Sequence, residues 1–139
     1  AVVFIGIFAT MTPALIYLNA NATSLGLQTP DQFFYGAGFL SAFLDNSPTA
    51  VAFHTVAQGI PHATDAVMVA GVPQDILRAI SLGAVFFGAL TYIGNGPNFM
   101  VKSIAEHNGV KMPSFFGYMF RFSLIIMLPV YIIVQLIFL

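Results

Sequence analysis

The chain lacks cysteine and tryptophan and has very few charged side chains. Without cysteine, disulfides and thiolate metal sites are excluded. Charged residues make up 6% of the chain, whereas a soluble domain carries about 25%. Four basic and five acidic residues give a net charge of −1, so no basic surface is available to bind nucleic acid. No pairing of a nucleophile with a base is evident either, and we expect no enzymatic activity.

Apolar residues dominate instead, at 58% of the chain with a mean hydropathy of +0.90. This composition predicts an all-α integral membrane protein, with the bilayer as its main partner. The apolar sequence begins at the first residue, without the basic segment that opens a signal peptide. We therefore expect a single transmembrane transport domain over residues 1–139 that belongs to a longer protein, whose N-terminal half is missing here.

Apolar length predicts which segments cross the bilayer, since a spanning helix needs about 20 residues for a core of about 30 Å. Residues 1–18, 76–100 and 115–139 meet this requirement and are predicted to span. The segments 31–44 and 48–58 are too short to cross alone. They predict a re-entrant hairpin over about 31–58, and one long helix kinked at Pro48 is the alternative. The predicted fold is thus polytopic, with loops at 19–30 and 59–75.

A polar sequence interrupts the apolar segment at the tip of the predicted hairpin. It contains a carboxylate, an amide, two hydroxyls and a proline: Asp45, Asn46, Ser47, Pro48 and Thr49. Irregular backbone at membrane depth persists only where it lines a cavity or is buried in protein. An ionisable residue there indicates a functional site, although Asp45 could instead cap a helix. Pro48 suits the first turn of a new helix.

A second polar sequence interrupts the helix predicted to begin at Ile76. It contains two glycines, a proline and two amides: Gly94, Asn95, Gly96, Pro97 and Asn98. A helix does not continue through this composition, so we predict a helix broken in mid-membrane that resumes near Pro97 and ends at His107. Small residues before the break, including Gly83 and Gly88, predict close helix packing.

Loop charges predict the orientation in the membrane. The link at 102–113 contains Lys102 and Lys111, whereas the loops at 19–31 and 59–75 contain no lysine or arginine. The positive-inside rule then places 102–113 in the cytoplasm. Arg121 is predicted to extend to the cytoplasmic interface, with anchoring of an anion as the alternative. His54 is either a packing residue or part of a proton relay.

These features together resemble the ion transporter superfamily, and within it bacterial citrate transporters and sodium:proton antiporters. Members contain inverted repeats, each with a re-entrant hairpin and a broken helix, and the likeness covers this chain as a C-terminal half. The resemblance implies a bacterial inner-membrane location and permits a homodimer. The resemblance also implies that the family's cation site corresponds here to Asp45, Asn46, Thr49, Gly94 and Asn95. Pro97 and Asn98 would shape the loop. Asp45 stands where the dicarboxylate branch has serine.

The leading hypothesis is cation-coupled secondary transport by alternating access, as Na⁺/H⁺ antiport. Na⁺ prefers oxygen ligands, which Asp45, Asn46 and Thr49 supply, and one carboxylate can hold either a proton or the ion. The second hypothesis is Na⁺- or H⁺-coupled transport of citrate or a dicarboxylate, which would contact Asn46 and Asn98. The third is a membrane scaffold subunit that transports nothing. No cofactor other than Na⁺ is expected.

Overall fold

Helices make up most of the computed structural model, which describes residues 2–139, with side chains described from Ile5 onwards. Residue 1 of the predicted span 1–18 lies outside the described part. An all-α class is confirmed. The helices are α1 (Val2–Ala20), α2 (Pro30–Ser41), α3 (Asn46–Gln58), α4 (Gln74–Phe86), α5 (Gly96–His107) and α6 (Phe115–Phe138). Short 3₁₀ turns lie at Ala22–Leu25 and Phe87–Ala89, and α6 contains a π turn at Met119–Ser123.

The segment predicted as a loop at 59–75 contains two short strands. Strand β1 (Met68–Val69) pairs antiparallel with β2 (Val72–Pro73). The connecting residues Ala70 and Gly71 both have positive φ angles, 51° and 82°, as the tight turns of hairpins require. Helix α4 then begins directly after Pro73. Asp75 lies within the first turn of this helix.

Helices α2 and α3 form an antiparallel hairpin. The rings of Phe33 and Phe53 lie 6.3 Å apart near the open end, and Ser41 lies 2.8 Å from the Asn46 side chain at the closed end. Thr29 and Gln32 begin α2 with a reciprocal capping box, which satisfies two backbone donors. The first arm ends at Ser41 and not at Leu44 as predicted. A single helix kinked at Pro48 is therefore wrong.

The core lies mainly between α2 and α4, which run parallel. Phe34 packs edge-on against Phe87 at a ring distance of 5.4 Å. A Cβ at Gly83 would meet the carbonyl oxygen of Phe34 and lie 3.2 Å from the nitrogen of Gly38. The close packing predicted from the small residues of α4 is thus confirmed. The fully buried side chains of this core include Phe33, Phe34, Ala37, Ala79 and Ile80.

Helices α1 and α6 flank this pair. At the end of α1, Asn19 donates a 3.0 Å hydrogen bond to the carbonyl of Thr55. Arg78 at the start of α4 donates to the carbonyl of Phe138, and Tyr131 donates to the carbonyl of Phe86, so α6 runs antiparallel to α4. The open end of the hairpin and both segments predicted as loops, 19–30 and 59–75, therefore lie at one end of the structure, and residues 108–114 lie at the other.

Helix α6 is 24 residues long with a mean hydropathy of 2.1, and it is the one helix among the described residues that is long and apolar enough to cross a membrane. Its apolar side chains are largely exposed, including Ile125 and Leu136. The helix predicted to extend to Ile93 ends at Phe86, because the chain tightens into the 3₁₀ turn before the break. The segment 76–100 is therefore two helices with a break between them.

Candidate functional site

The hairpin tip and the break between α4 and α5 meet at Gly88. A Cβ at this position would lie 2.6 Å from the side-chain amide of Asn46 and 3.2 Å from Nδ2 of Asn95. Asn46 begins α3 and Asn95 caps α5. The absence of a side chain at Gly88 therefore lets the start of each second half-helix approach the same point. We call this region, formed by residues 41–49 and 88–98, the junction.

Asp45 caps helix α3 at the hairpin tip. Its Oδ1 accepts a hydrogen bond from the backbone nitrogen of Ser47 at 3.3 Å, and both side chains are exposed in this chain. Pro48 lies in the first turn of α3, as predicted, where its missing N–H costs no helical hydrogen bond. The cap gives the carboxylate a structural role and leaves its second oxygen for other contacts.

Thr49 lies one turn into α3 and is 1% exposed. Its hydroxyl donates to the carbonyl of Asp45 at 3.0 Å. Thr49 and Asp45 line the same cavity of about 350 Å³ between α1 and the hairpin tip, which is otherwise walled by Ile7, Met11, Leu40, Leu44, Pro48 and Ala52. Asn46 turns instead towards α4 and the break. The predicted cation ligands Asp45, Asn46 and Thr49 therefore do not share one face of α3.

The break is organised by hydrogen bonds from its own side chains. Asn95 caps α5 by accepting from the backbone nitrogen of Asn98 at 3.0 Å. Asn98 in turn donates to the carbonyls of Gly88, at 2.9 Å, and Thr91, at 3.3 Å. A Cβ at Gly94 would overlap the Gly88 carbonyl. Thus Asn95 and Asn98 hold the loop that joins the two half-helices.

Gly96 and Pro97 form the first turn of α5. Pro97 is compatible with this position for the same reason as Pro48. A Cβ at Gly96 would meet nothing within 4 Å. Packing around this position therefore does not require a glycine.

Two buried hydroxyls of the junction were missed by sequence reasoning. Ser41 and Thr91 are both 0% exposed. Ser41 donates to the carbonyl of Ala84, and Thr91 donates to the carbonyl of Ala42. Each therefore bonds the end of α2 to the broken helix. In the sequence, each of them is a hydroxyl residue within an apolar segment, a few residues before one of the two polar sequences, and that position could have identified them.

Other polar residues singled out from the sequence lie outside the junction. His54 donates a 3.1 Å hydrogen bond to the carbonyl of Ala70 in the turn between the strands, which agrees with a packing role. Lys102 and Glu106 form an ion pair at 2.7 Å on α5. Arg121 is exposed in the π turn of α6, and its membrane role stays a prediction.

Comparison with known proteins gives one match. No curated protein and no solved structure matches the chain. A protein family described as putative citrate transport matches residues 1–139. A transport family, together with the apolar helix α6, indicates a membrane protein that carries a solute. The match extends over the whole sequence, and the chain therefore belongs to this citrate transport family.

Proposed function

We propose that this chain forms half of the binding site of a cation-coupled citrate carrier. The supporting observation is that the starts of α3 and α5 converge at Gly88. A helix N-terminus carries a partial positive charge and free N–H groups, which favour a carboxylate. In transporters, half-helices that begin at the membrane midplane serve this purpose. Citrate carboxylates would therefore contact the first turns of α3 and α5, with the Ser47 hydroxyl as an additional donor.

The coupling cation is assigned to the same junction. Na⁺ requires oxygen ligands, and the junction offers the amide oxygen of Asn46 and backbone carbonyls of both breaks. Asp45, beside Asn46 in the chain, supplies the negative charge. Thr49 lies on the α1 side of the tip and would contribute from there. A bound cation would offset the repulsion between Asp45 and an incoming carboxylate.

The proposed arrangement in the membrane is a re-entrant hairpin beside a broken helix. Helix α2 has 12 residues and α3 has 13, so each is only about 18–20 Å long at about 1.5 Å per residue. Both are shorter than the hydrocarbon core of about 30 Å. The positive-inside rule then favours a cytoplasmic location for 102–113 in a bacterial inner membrane. Alternating access requires a second half-site, from the N-terminal half of the protein or from a second copy.

Na⁺/H⁺ antiport is the second candidate, and the observation that favours it is the carboxylate at the hairpin tip. Asp45 borders the cavity beside α1, whose lining surface is apolar, and it retains one carboxylate oxygen outside its capping bond. Such a carboxylate can exchange a proton for a metal ion. In this mechanism citrate would not move, and Na⁺ alone would drive proton movement.

Transport assays with the whole protein in proteoliposomes separate these functions. We expect an inward Na⁺ gradient to drive uptake of radiolabelled citrate, and Asp45→Asn to reduce that uptake by about tenfold or more, since a charged contact contributes about 1.5–3 kcal/mol. Asp65→Asn, at an exposed acid outside the junction, is the matched control. Na⁺-driven proton movement without citrate uptake would favour antiport. Absence of both activities would support the scaffold hypothesis.

A further inference from the structure

The orientation of the Asn46 amide follows from its neighbours. Three oxygens surround one end of this amide: Ser41 Oγ at 2.8 Å, the carbonyl of Ala84 at 3.0 Å and the carbonyl of Gly94 at 3.1 Å. Ser41 has a single hydroxyl proton, which it donates to Ala84, so it has none left for Asn46. This end of the amide is therefore the nitrogen, which donates. The carbonyl oxygen of Asn46 points away from these acceptors.

Thr91 is bonded to Gly94, the residue that supplies one of these three acceptors. Its Oγ1 accepts hydrogen bonds from the backbone nitrogens of Ile93, at 3.2 Å, and Gly94, at 3.1 Å, while its proton goes to the carbonyl of Ala42. The Thr91 hydroxyl thereby connects the end of α2 to the Gly94 peptide. Since the Gly94 carbonyl accepts from Asn46, Gly94 is bonded both to the start of α3 and, through Thr91, to the end of α2.

We propose that Thr91 is a positioning residue for Na⁺ binding. It acts through Gly94, whose N–H binds the Thr91 hydroxyl and whose carbonyl, in the next peptide group, accepts from the nitrogen of Asn46. The Asn46 oxygen is thereby left to face the ion. Without the Thr91 hydroxyl, the nitrogens of Ile93 and Gly94 lose their acceptor. The backbone of Gly94, which sets the direction of its carbonyl, is then no longer held by this bond. The Asn46 amide then loses one of the contacts that distinguish its two ends. This inference rests on the proposed coupling to Na⁺. It adds Thr91 to the residues on which Na⁺ binding depends.

Thermal unfolding of the purified whole protein tests Na⁺ binding without requiring transport. A ligand that binds only the folded state raises the unfolding temperature. We expect NaCl, compared with choline chloride, to stabilise the wild type. In Thr91→Val the Na⁺ concentration that gives half of this stabilisation should rise by about tenfold, the equivalent of about 1.4 kcal/mol. Thr91→Ser, which restores the hydroxyl, should return it close to the wild-type value.

The matched control is Thr55→Val on α3. The hydroxyl of Thr55 bonds only within its own helix, to the carbonyl of Val51 at 2.9 Å. This variant makes the same change of side chain and should leave the Na⁺ dependence unchanged. If Thr91→Val cannot be purified in a folded state, Thr91→Cys replaces it, because a thiol is a weaker hydrogen-bonding group and should shift the Na⁺ dependence in the same direction.

Two results would overturn the proposal: a wild type that Na⁺ does not stabilise, or a Thr91→Val variant that loses stability but keeps the wild-type Na⁺ dependence. Citrate uptake, measured in parallel, separates this inference from the proposed function. Na⁺ stabilisation that depends on Thr91 without citrate uptake would reject the citrate carrier and retain the positioning role. Citrate uptake by the wild type, with unaltered Na⁺ dependence in Thr91→Val, would retain the citrate carrier and reject the positioning role.

Discussion

The side-chain nitrogen of Asn46 lies 3.1 Å from the carbonyl oxygen of Gly94. Asn46 begins the second arm of the hairpin, and Gly94 lies in the break of the neighbouring helix. This bond joins two backbone irregularities that are far apart in the chain. A change on one side of the junction should therefore alter the other side, and the following predictions use that relationship and the packing around it.

Gly88→Ala should strongly reduce transport with little loss of the rest of the fold. The added Cβ would lie 2.6 Å from the Asn46 amide, which must then move and separate the two half-helix starts. We expect uptake to fall by about tenfold or more, as for a lost hydrogen bond to a charged ligand. Gly96→Ala, where the Cβ enters open space, should retain uptake. Equal activity of the two variants would contradict the junction as the site.

Gly83→Ala should destabilise the packing of α2 against α4. Its Cβ would meet the carbonyl oxygen of Phe34, a backbone atom that cannot rotate away, and overpacking of this kind costs about 1–3 kcal/mol. The measurement is the thermal unfolding temperature of the purified protein in detergent. Gly6→Ala is the control, since a Cβ there meets nothing within 4 Å. A Gly83→Ala variant as stable as Gly6→Ala would show that the helices separate easily.

Substitutions of Asp45 should separate its capping role from its charge. Asparagine caps a helix about as well as aspartate, whereas alanine costs about 1 kcal/mol. Asp45→Asn should therefore unfold near the wild-type temperature but lose Na⁺-dependent uptake. Asp45→Ala should unfold at a lower temperature and also lose that uptake. Unfolding temperature and uptake are measured on the same preparations. Full uptake by Asp45→Asn would reduce Asp45 to a structural cap.

Gln135 should couple energetically to Tyr35. Tyr35 donates a 2.5 Å hydrogen bond to Oε1 of Gln135, whose nitrogen donates to Asp31 at 2.9 Å. These bonds join the apolar helix α6 to the start of the hairpin. A double-mutant cycle of Tyr35→Phe and Gln135→Leu should give a coupling of about 1 kcal/mol in the free energy of unfolding. Strictly additive effects would exclude an interaction between the two side chains.

Much of the local structure followed from sequence signals. Pro48 and Pro97 marked the first turns of α3 and α5, because the positions that proline tolerates in a helix depend on neighbouring residues alone. The ends of the half-helices were less predictable. Helix α4 ends at Phe86 because the chain must turn to bring Asn95 and Asn98 back to Gly88. That requirement comes from a segment distant from Phe86, so the residues next to Phe86 give no signal that the helix ends there.

The sequence by itself determined the class of protein and the two polar breaks. A chain with 6% charged residues is suited to a bilayer, and Asp45 and Asn95 stand out within it because unpaired polar groups are costly there. Only the tertiary structure decided how these residues are used. It placed Asp45 and Thr49 beside α1, turned Asn46 to Gly94, and assigned Ser41 and Thr91 to hold the breaks together. The physical reason is that helix faces and amide orientation are fixed by partners distant in the chain.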